Sequence, residues 1–269
     1  MHAINRWFSE NVQALARDMR WSYLPPLMVY VAAGIQGLTG IVGTFFVKDY
    51  LGLSAEFLAA LGFWAFVPWS LKMPIGHLVD LIWRFKAWLV VLGAALIAAS
   101  LLIMAALIGN REWMASMWSL NAWYVLAALL SPVGYVLQDV VADAMTVEAV
   151  PHVDDSGRPT PPEQLKRMHT TMQTLGRVAI IGGTVLVALI NLWVFKGTDA
   201  LPAAEKLTLY RNVYLLALII PVVSVAGLVS AALLYQRQVR QLVANGLSIT
   251  EAAARLRPEM AETRPNWWI

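Results

Sequence analysis

Cysteine is absent from this 269-residue chain, which excludes disulfides, thiolate metal sites and cysteine nucleophiles. Charged side chains are scarce as well, at 14% of the sequence against about a quarter in an ordinary soluble domain. The net charge of +3 is small, and the basic residues are not gathered as a nucleic-acid surface requires. The chain is instead 59% hydrophobic and carries twelve tryptophans, which favour the membrane–water interface. We therefore expect a lipid bilayer to be the solvent for most of it.

Six stretches are long and apolar enough to cross a bilayer, since a transmembrane helix needs about 20 mostly apolar residues. The predicted fold class is an all-α polytopic membrane protein. The fourth stretch is long enough to tilt or break, and Pro132 is its candidate kink. The six stretches are residues 24–46, 57–79, 87–109, 118–147, 170–195 and 212–235.

The predicted organisation has three parts: a cytoplasmic arm over 1–23, a six-helix bundle over 24–235, and a cytoplasmic tail or central linker over 236–269. Apolar residues recur at helical spacing in the arm, which indicates either an amphipathic helix on the membrane surface or a solvated tail. In the tail, Ser248 and Glu251 have the spacing of a capping box, which predicts a short helix.

The loops differ in positive charge. The two termini and the second and fourth loops hold thirteen basic residues, while the three other loops hold five. Basic residues stay on the cytoplasmic side, so we expect both termini to be cytoplasmic, in a bacterial inner membrane. Lys72 and Arg177 are the remaining two basic residues, and both fall within predicted spans.

Ionisable side chains within a bilayer are costly and often mark a pathway. Lys72, Asp139, Asp143 and Arg177 fall at similar depth in the cytoplasmic half, and Asp139 with Arg177 is one candidate pair. A structural ion-pair layer and a substrate or proton site are both consistent with this pattern. The predicted pathway residues are Gln36, Lys72, Gln138, Asp139, Asp143, Gln173 and Arg177.

Other features favour structural roles. Glycines in the first and fifth stretches, including Gly34 and Gly183, are interpreted as packing positions. His152, Asp154 and Asp155 lie in a proline-rich loop, which favours a solvated loop over a metal site. No nucleophile–base arrangement or phosphate loop is present, so we expect no enzyme activity and neither a cofactor nor a metal.

The segment from Gly76 to Asp80, followed by Arg84 and Lys86, resembles the glycine–x3–aspartate–basic signature between helices two and three of the major facilitator superfamily. The second glycine and the tight basic cluster of that signature are missing. The resemblance implies that these four residues form a gating motif, in which Asp80 helps to close the cytoplasmic side.

Four further segments resemble the folate-biopterin transporters, which are related to muropeptide permeases and acetyl-CoA transporters. These segments are 46–54, 67–72, 138–148 and 173–183, within a resemblance that covers 24–235. Such transporters have twelve helices in two halves, so the resemblance implies the N-terminal half of a major facilitator fold. Its partner would then be a second six-helix half or a second copy.

The expected function is that of half a secondary transporter for an organic solute such as folate or pterin, with or without proton coupling. A muropeptide-type permease and a non-transporting membrane assembly scaffold are the alternatives. The charged layer favours transport, whereas the missing half favours the scaffold.

Overall fold

The computed structural model describes residues 13, 15, 17–82, 85–152 and 158–256, with the side chains of Asp80 and Asp199 excepted. Within these ranges the regular secondary structure is helical and contains no strand. The α-helices are α1 (Leu24–Gly34), α2 (Gly40–Phe46), α3 (Ala55–Ser70), α4 (Lys72–Leu81), α5 (Lys86–Gly109), α6 (Arg111–Met117), α7 (Leu120–Glu148), α8 (Pro162–Val194), α9 (Ala203–Leu216), α10 (Ile219–Ala244) and α11 (Ile249–Leu256).

The described helices form six segments that are long and apolar enough to span a membrane, which confirms the predicted fold class of an integral membrane protein. Each segment overlaps one predicted stretch, although the fifth begins earlier than expected and the sixth is longer. Spans 1 to 6 are Trp21–Leu51, Ala55–Val79, Lys86–Gly109, Leu120–Glu148, Pro162–Val194 and Ala203–Ala244.

The chain packs as two compact units. The larger unit consists of Met28–Ala142 and Val178–Ala226, and the smaller unit consists of Met1–Leu27, Asp143–Arg177 and Gly227–Ile269. The core of the larger unit is an apolar cluster that includes Val42, Ile97 and Ile220, all of which are inaccessible to solvent. The predicted amphipathic arm falls mostly outside the described residues.

Prolines explain two interruptions within the spans. Pro74 has no N–H to donate to the carbonyl of Ser70, and span 2 breaks at Leu71, between α3 and α4. Pro221 likewise leaves the Ala217 carbonyl without its α-helical donor. The break between α9 and α10 falls there, and the N–H of Ile220 donates to that carbonyl instead, at 2.9 Å. Span 4 does not break, because α7 continues through Pro132, and a kink at that proline stays a prediction.

The tail helix was predicted correctly. The Ser248 hydroxyl and backbone N–H both donate to Oε2 of Glu251, at 2.7 and 3.0 Å, and the Glu251 N–H donates back to the hydroxyl at 3.2 Å. These hydrogen bonds to the ionised form hold the pKa of Glu251 below its ordinary value. This reciprocal cap begins α11.

Two pairs of glycines bring helix backbones together in the larger unit. A Cβ atom built on Gly34 would lie 2.5 Å from the carbonyl oxygen of Ile180, and one built on Gly183 would lie 2.8 Å from the Cα of Gly34. Gly93 and Gly134 make a second crossing of the same kind, where added Cβ atoms would lie 2.7 and 2.6 Å from the facing carbonyl oxygens. The packing role predicted for Gly34 and Gly183 is confirmed, whereas the sequence did not single out the second crossing.

Gly182 and Gly183 offer a matched test of this packing. Gly183→Ala should destabilise the protein by about 1–3 kcal/mol, because the new methyl group overlaps the backbone of span 1. Gly182→Ala should be neutral or stabilising by up to about 1 kcal/mol, because nothing lies within 4 Å of that position and alanine favours the helix. Thermal unfolding of the two purified variants in one detergent would show the difference. Equal effects would contradict the described crossing.

Candidate functional site

An ion pair between Lys72 and Asp139 is the centre of the candidate site. Nζ of Lys72, the first residue of α4, lies 2.5 Å from Oδ2 of Asp139 in α7. The Asp139 side chain is 11% exposed and that of Lys72 is 37% exposed. The carboxylate is therefore enclosed by the protein, whereas the amine remains partly accessible. Both residues belong to the larger unit, and both were predicted from the sequence.

The break in span 2 sets the position of Lys72. Leu71 separates the two helices with φ −89° and ψ 7°, and α-helical hydrogen bonding resumes where the N–H of Ile75 donates to the Leu71 carbonyl at 3.0 Å. Lys72 therefore begins a new helical segment inside a membrane span. Interrupted helices at membrane depth are tolerated where they are covered by protein or line a cavity, and they often contribute to transport sites.

Small and branched apolar residues bring α4 against α7 beside the ion pair. A Cβ atom on Gly76 would lie 3.8 Å from Cγ1 of Val140, which is an ordinary contact distance. Val79 and Val140 are buried at 1% and 5% exposure. Gly76, one turn after Lys72, thus faces the residue next to Asp139.

Gln138, the neighbour of Asp139, connects three spans. Its Nε2 donates to the carbonyl of Val90 in span 3 at 3.3 Å, and its Oε1 accepts from the Ser224 hydroxyl in span 6 at 2.9 Å. Gln138 is 3% exposed and Ser224 is fully buried. An added Cβ on Gly93 would lie 2.8 Å from Cγ of Gln138, so the glycine makes room for the amide. This network fixes the helix that carries Asp139, and a pathway role for Gln138 remains a prediction.

Sequence reasoning missed Ser224. A single hydroxyl in an apolar span is a weak signal by itself, because serine can satisfy its hydroxyl on its own helix. Its significance depends on the partner in span 4, which only the fold shows.

The other predicted pathway residues are described by their exposure and by the unit to which they belong. Gln36 is exposed and lies in the 3₁₀ segment Ile35–Thr39 of span 1. Asp143, Gln173 and Arg177 are exposed and belong to the smaller unit. The described ion-pair partner of Asp139 is Lys72. Pairing of Asp139 with Arg177, which belongs to the smaller unit, stays a prediction. A single four-charge layer remains a prediction.

The gating motif is described only in part. Gly76 contacts Val140, as above, and Lys86 begins α5. Arg84 and the side chain of Asp80 lie outside the described residues, and so do Asp154 and Asp155 of the proline-rich loop. The closing role implied for Asp80 stays a prediction.

The geometry combines an enclosed carboxylate with an accessible amine. Pairing lowers the cost of keeping either charge away from water. A proton or an ionic solute that reaches the site competes with this pairing, because protonation removes the carboxylate charge and an anion offers Lys72 another partner. Among the described residues, no group of three histidine, aspartate or glutamate side chains is arranged to hold a metal ion.

Comparison with known proteins gives a partial similarity. A 147-residue segment, 54% of this chain, is 29% identical to a folate-biopterin transporter of Synechocystis sp. (strain ATCC 27184 / PCC 6803 / Kazusa). The matched segment is 28% of that protein's length, so the chain spans under a third of it. No family model matches the chain, and no solved structure gives a significant match.

Proposed function

We propose that the chain is a six-helix part of a membrane transporter for a folate- or pterin-like organic solute, with the Lys72–Asp139 ion pair in its pathway. The observation that carries the proposal is this ion pair. It joins span 2 to span 4, and it lies beside the break in span 2 at Leu71. The similarity to a folate-biopterin transporter supports the solute class. Charged groups at membrane depth are costly and are therefore typical of a functional pathway.

The chemistry of the pair suits proton-coupled transport of an anion. A carboxylate-bearing solute would bind the partly accessible Lys72 and displace Asp139. The displaced Asp139 carboxylate would then take up a proton and become neutral. Departure of the solute and the proton would restore the ion pair. Each cycle therefore exchanges one charged partner of Lys72 for another, and never leaves either group charged and alone.

A second six-helix half, or a second copy, would complete the pathway. Span 2 is the least buried of the six, and its exposed large side chains include Phe63, Trp64, Phe66 and Met73. Lys72 belongs to the same span and is 37% exposed. Exposing a charged group to lipid costs about 2.5–3.5 kcal/mol on insertion scales. A protein wall over span 2 would remove that cost, as in a two-half major facilitator fold.

A non-transporting assembly scaffold is the second candidate. The same exposed aromatic face of span 2 favours it, because it provides apolar surface for another membrane protein. The scaffold needs no exchange of partners at Lys72, so transport measurements separate the two functions.

The first prediction concerns uptake. Lys72→Gln, Asp139→Asn and the double variant should each lower solute uptake by the assembled transporter at least about tenfold, because a neutral pair makes no charge-assisted hydrogen bond to an ionic solute. Lys196→Gln, at an exposed position outside the spans, is the matched control. Uptake of labelled folate and pterin, normalised to membrane abundance, is the measurement. Normal uptake by the double variant would leave the ion pair with a structural role alone.

The second prediction concerns orientation. We expect Ala200 to be outside and Asn245 to be cytoplasmic, because they flank span 6 and the basic loops favour this direction. Both positions are exposed, and the chain has no native cysteine. Ala200→Cys should react with an impermeant maleimide in intact cells, whereas Asn245→Cys should react only after permeabilisation. The reverse pattern would contradict the proposed orientation.

The third prediction concerns assembly. The chain should not be active as a lone monomer, because the Lys72 side of span 2 needs a covering wall. Mass measurement in lipid nanodiscs should find it with a second copy or a partner chain whenever uptake activity is recovered. An active, monodisperse monomer would refute the two-half assembly while leaving a transport role intact.

A further inference from the structure

A polar pocket lies within the smaller unit, and none of the predicted pathway residues is among those that line it. Its volume is about 440 Å³, and it lies between the residues preceding α1 and the first turns of α8. The residues that carry the argument are Arg17, Asp18, Arg20, Tyr23, Glu163 and Arg167. A cavity of this size accommodates a small ligand or a lipid headgroup.

The pocket is rich in guanidinium groups. Arg17, Arg20 and Arg167 line it together with two acids, and all three arginines are exposed. Nη2 of Arg167 donates to both carboxylate oxygens of Asp18, at 2.9 and 3.2 Å, which holds this arginine in place. A guanidinium carries five N–H donors in a planar fork, so Arg167 can bind Asp18 and still offer donors to an anion.

Tyr23 gives an independent indication of a ligand. The residue is 0% exposed and forms part of the pocket wall, and its buried hydroxyl has no hydrogen-bond partner among the described residues. A buried hydroxyl without a partner is costly, so such a group in a pocket points to a missing acceptor. Arg20 and Tyr23 line the same pocket. The Tyr23 hydroxyl has no solvent-accessible surface, so an anion reaches it only when a residue of the pocket wall moves.

The pocket lies next to the start of span 1, at the edge of the bilayer. Trp21, the first residue of that span, is 79% exposed. Tryptophan favours the headgroup level of the membrane, and arginines at this level attract anionic lipids. The position therefore gives lipid phosphates direct access to the pocket.

We propose that this pocket is a binding site for a phosphate group, in which Arg17, Arg20 and Arg167 hold the charged oxygens and the Tyr23 hydroxyl donates a hydrogen bond. Arginine forks match phosphate oxygens in geometry and charge. The same chemistry is offered by the headgroup of an anionic phospholipid and by soluble phosphate, and the position beside Trp21 gives the lipid the shorter route. The site is independent of the proposed transport function.

Lipid titrations of the full chain followed by native mass spectrometry test the proposal. Phosphatidylglycerol should bind at least about tenfold more tightly than phosphatidylcholine. The double variant Arg17→Gln, Arg20→Gln should lose this preference. The double variant Arg237→Gln, Arg240→Gln, which removes the same charge at exposed positions outside the pocket, should keep it. Inorganic phosphate is the third probe. Displacement of phosphatidylglycerol by phosphate supports a shared site. Phosphate binding without any preference for phosphatidylglycerol over phosphatidylcholine identifies soluble phosphate as the ligand.

Tyr23→Phe separates binding from folding. It should weaken phosphatidylglycerol binding about tenfold, and the melting temperature of the lipid-free protein should not fall, because the variant removes an unpaired buried hydroxyl. Equal binding of both lipids together with no response to phosphate would overturn the proposal. So would an effect of Arg237→Gln, Arg240→Gln as large as that of Arg17→Gln, Arg20→Gln, or unchanged phosphatidylglycerol and phosphate binding in Tyr23→Phe.

Discussion

A carboxylate enclosed at membrane depth must have a partner, and the pairing of Asp139 with Lys72 meets this constraint. An unpaired charge in such a place costs several kcal/mol, more than most single contacts contribute. The break at Leu71 sets where the second half of span 2 begins, and Lys72 is its first residue. Gly76 of α4 faces Val140 of α7, the neighbour of Asp139. The helix break, the packing of α4 beside α7 and the ion pair therefore all involve the same short stretch of span 2, which begins at Lys72.

The rest of the larger unit holds the helix of Asp139 in place. Gln138 hydrogen-bonds to span 3 on one side and to Ser224 of span 6 on the other, and the Gly93–Gly134 crossing lets spans 3 and 4 approach backbone to backbone. In lipid, helix association depends on close van der Waals packing and interhelical hydrogen bonds, because apolar burial between helices gains little. Polar and small residues therefore hold the helices together, as a hydrophobic core does in a soluble protein. The apolar residues mainly set the depth of each span.

Much of this architecture follows from the sequence, and the remainder depends on tertiary contacts. Hydropathy predicted six spans because each must satisfy its backbone internally, and the spacing of Ser248 and Glu251 predicted the tail helix. The similar depth of Lys72 and Asp139 within their spans identified both as candidate pathway residues. Depth does not report which helix faces meet, so it could not single out Lys72 as the partner of Asp139. The sequence indicated Pro132 as a candidate kink, where the helix continues without a break, and it missed the breaks before Pro74 and Pro221. Whether a proline interrupts a helix depends on how its neighbours satisfy the freed carbonyl, which composition does not reveal.

The most direct measurement is a double-mutant cycle on unfolding of the purified chain in detergent, with Lys72→Gln, Asp139→Asn and the double variant. Breaking a mostly buried pair strands one charge, so each single variant should lose about 1–3 kcal/mol, reduced from the fully buried case because Lys72 is 37% exposed. The double variant strands neither charge and should lose clearly less than the sum of the two. A coupling free energy above about 1 kcal/mol would support the account. Additivity within about 0.5 kcal/mol would contradict it, since independent sites add within that range.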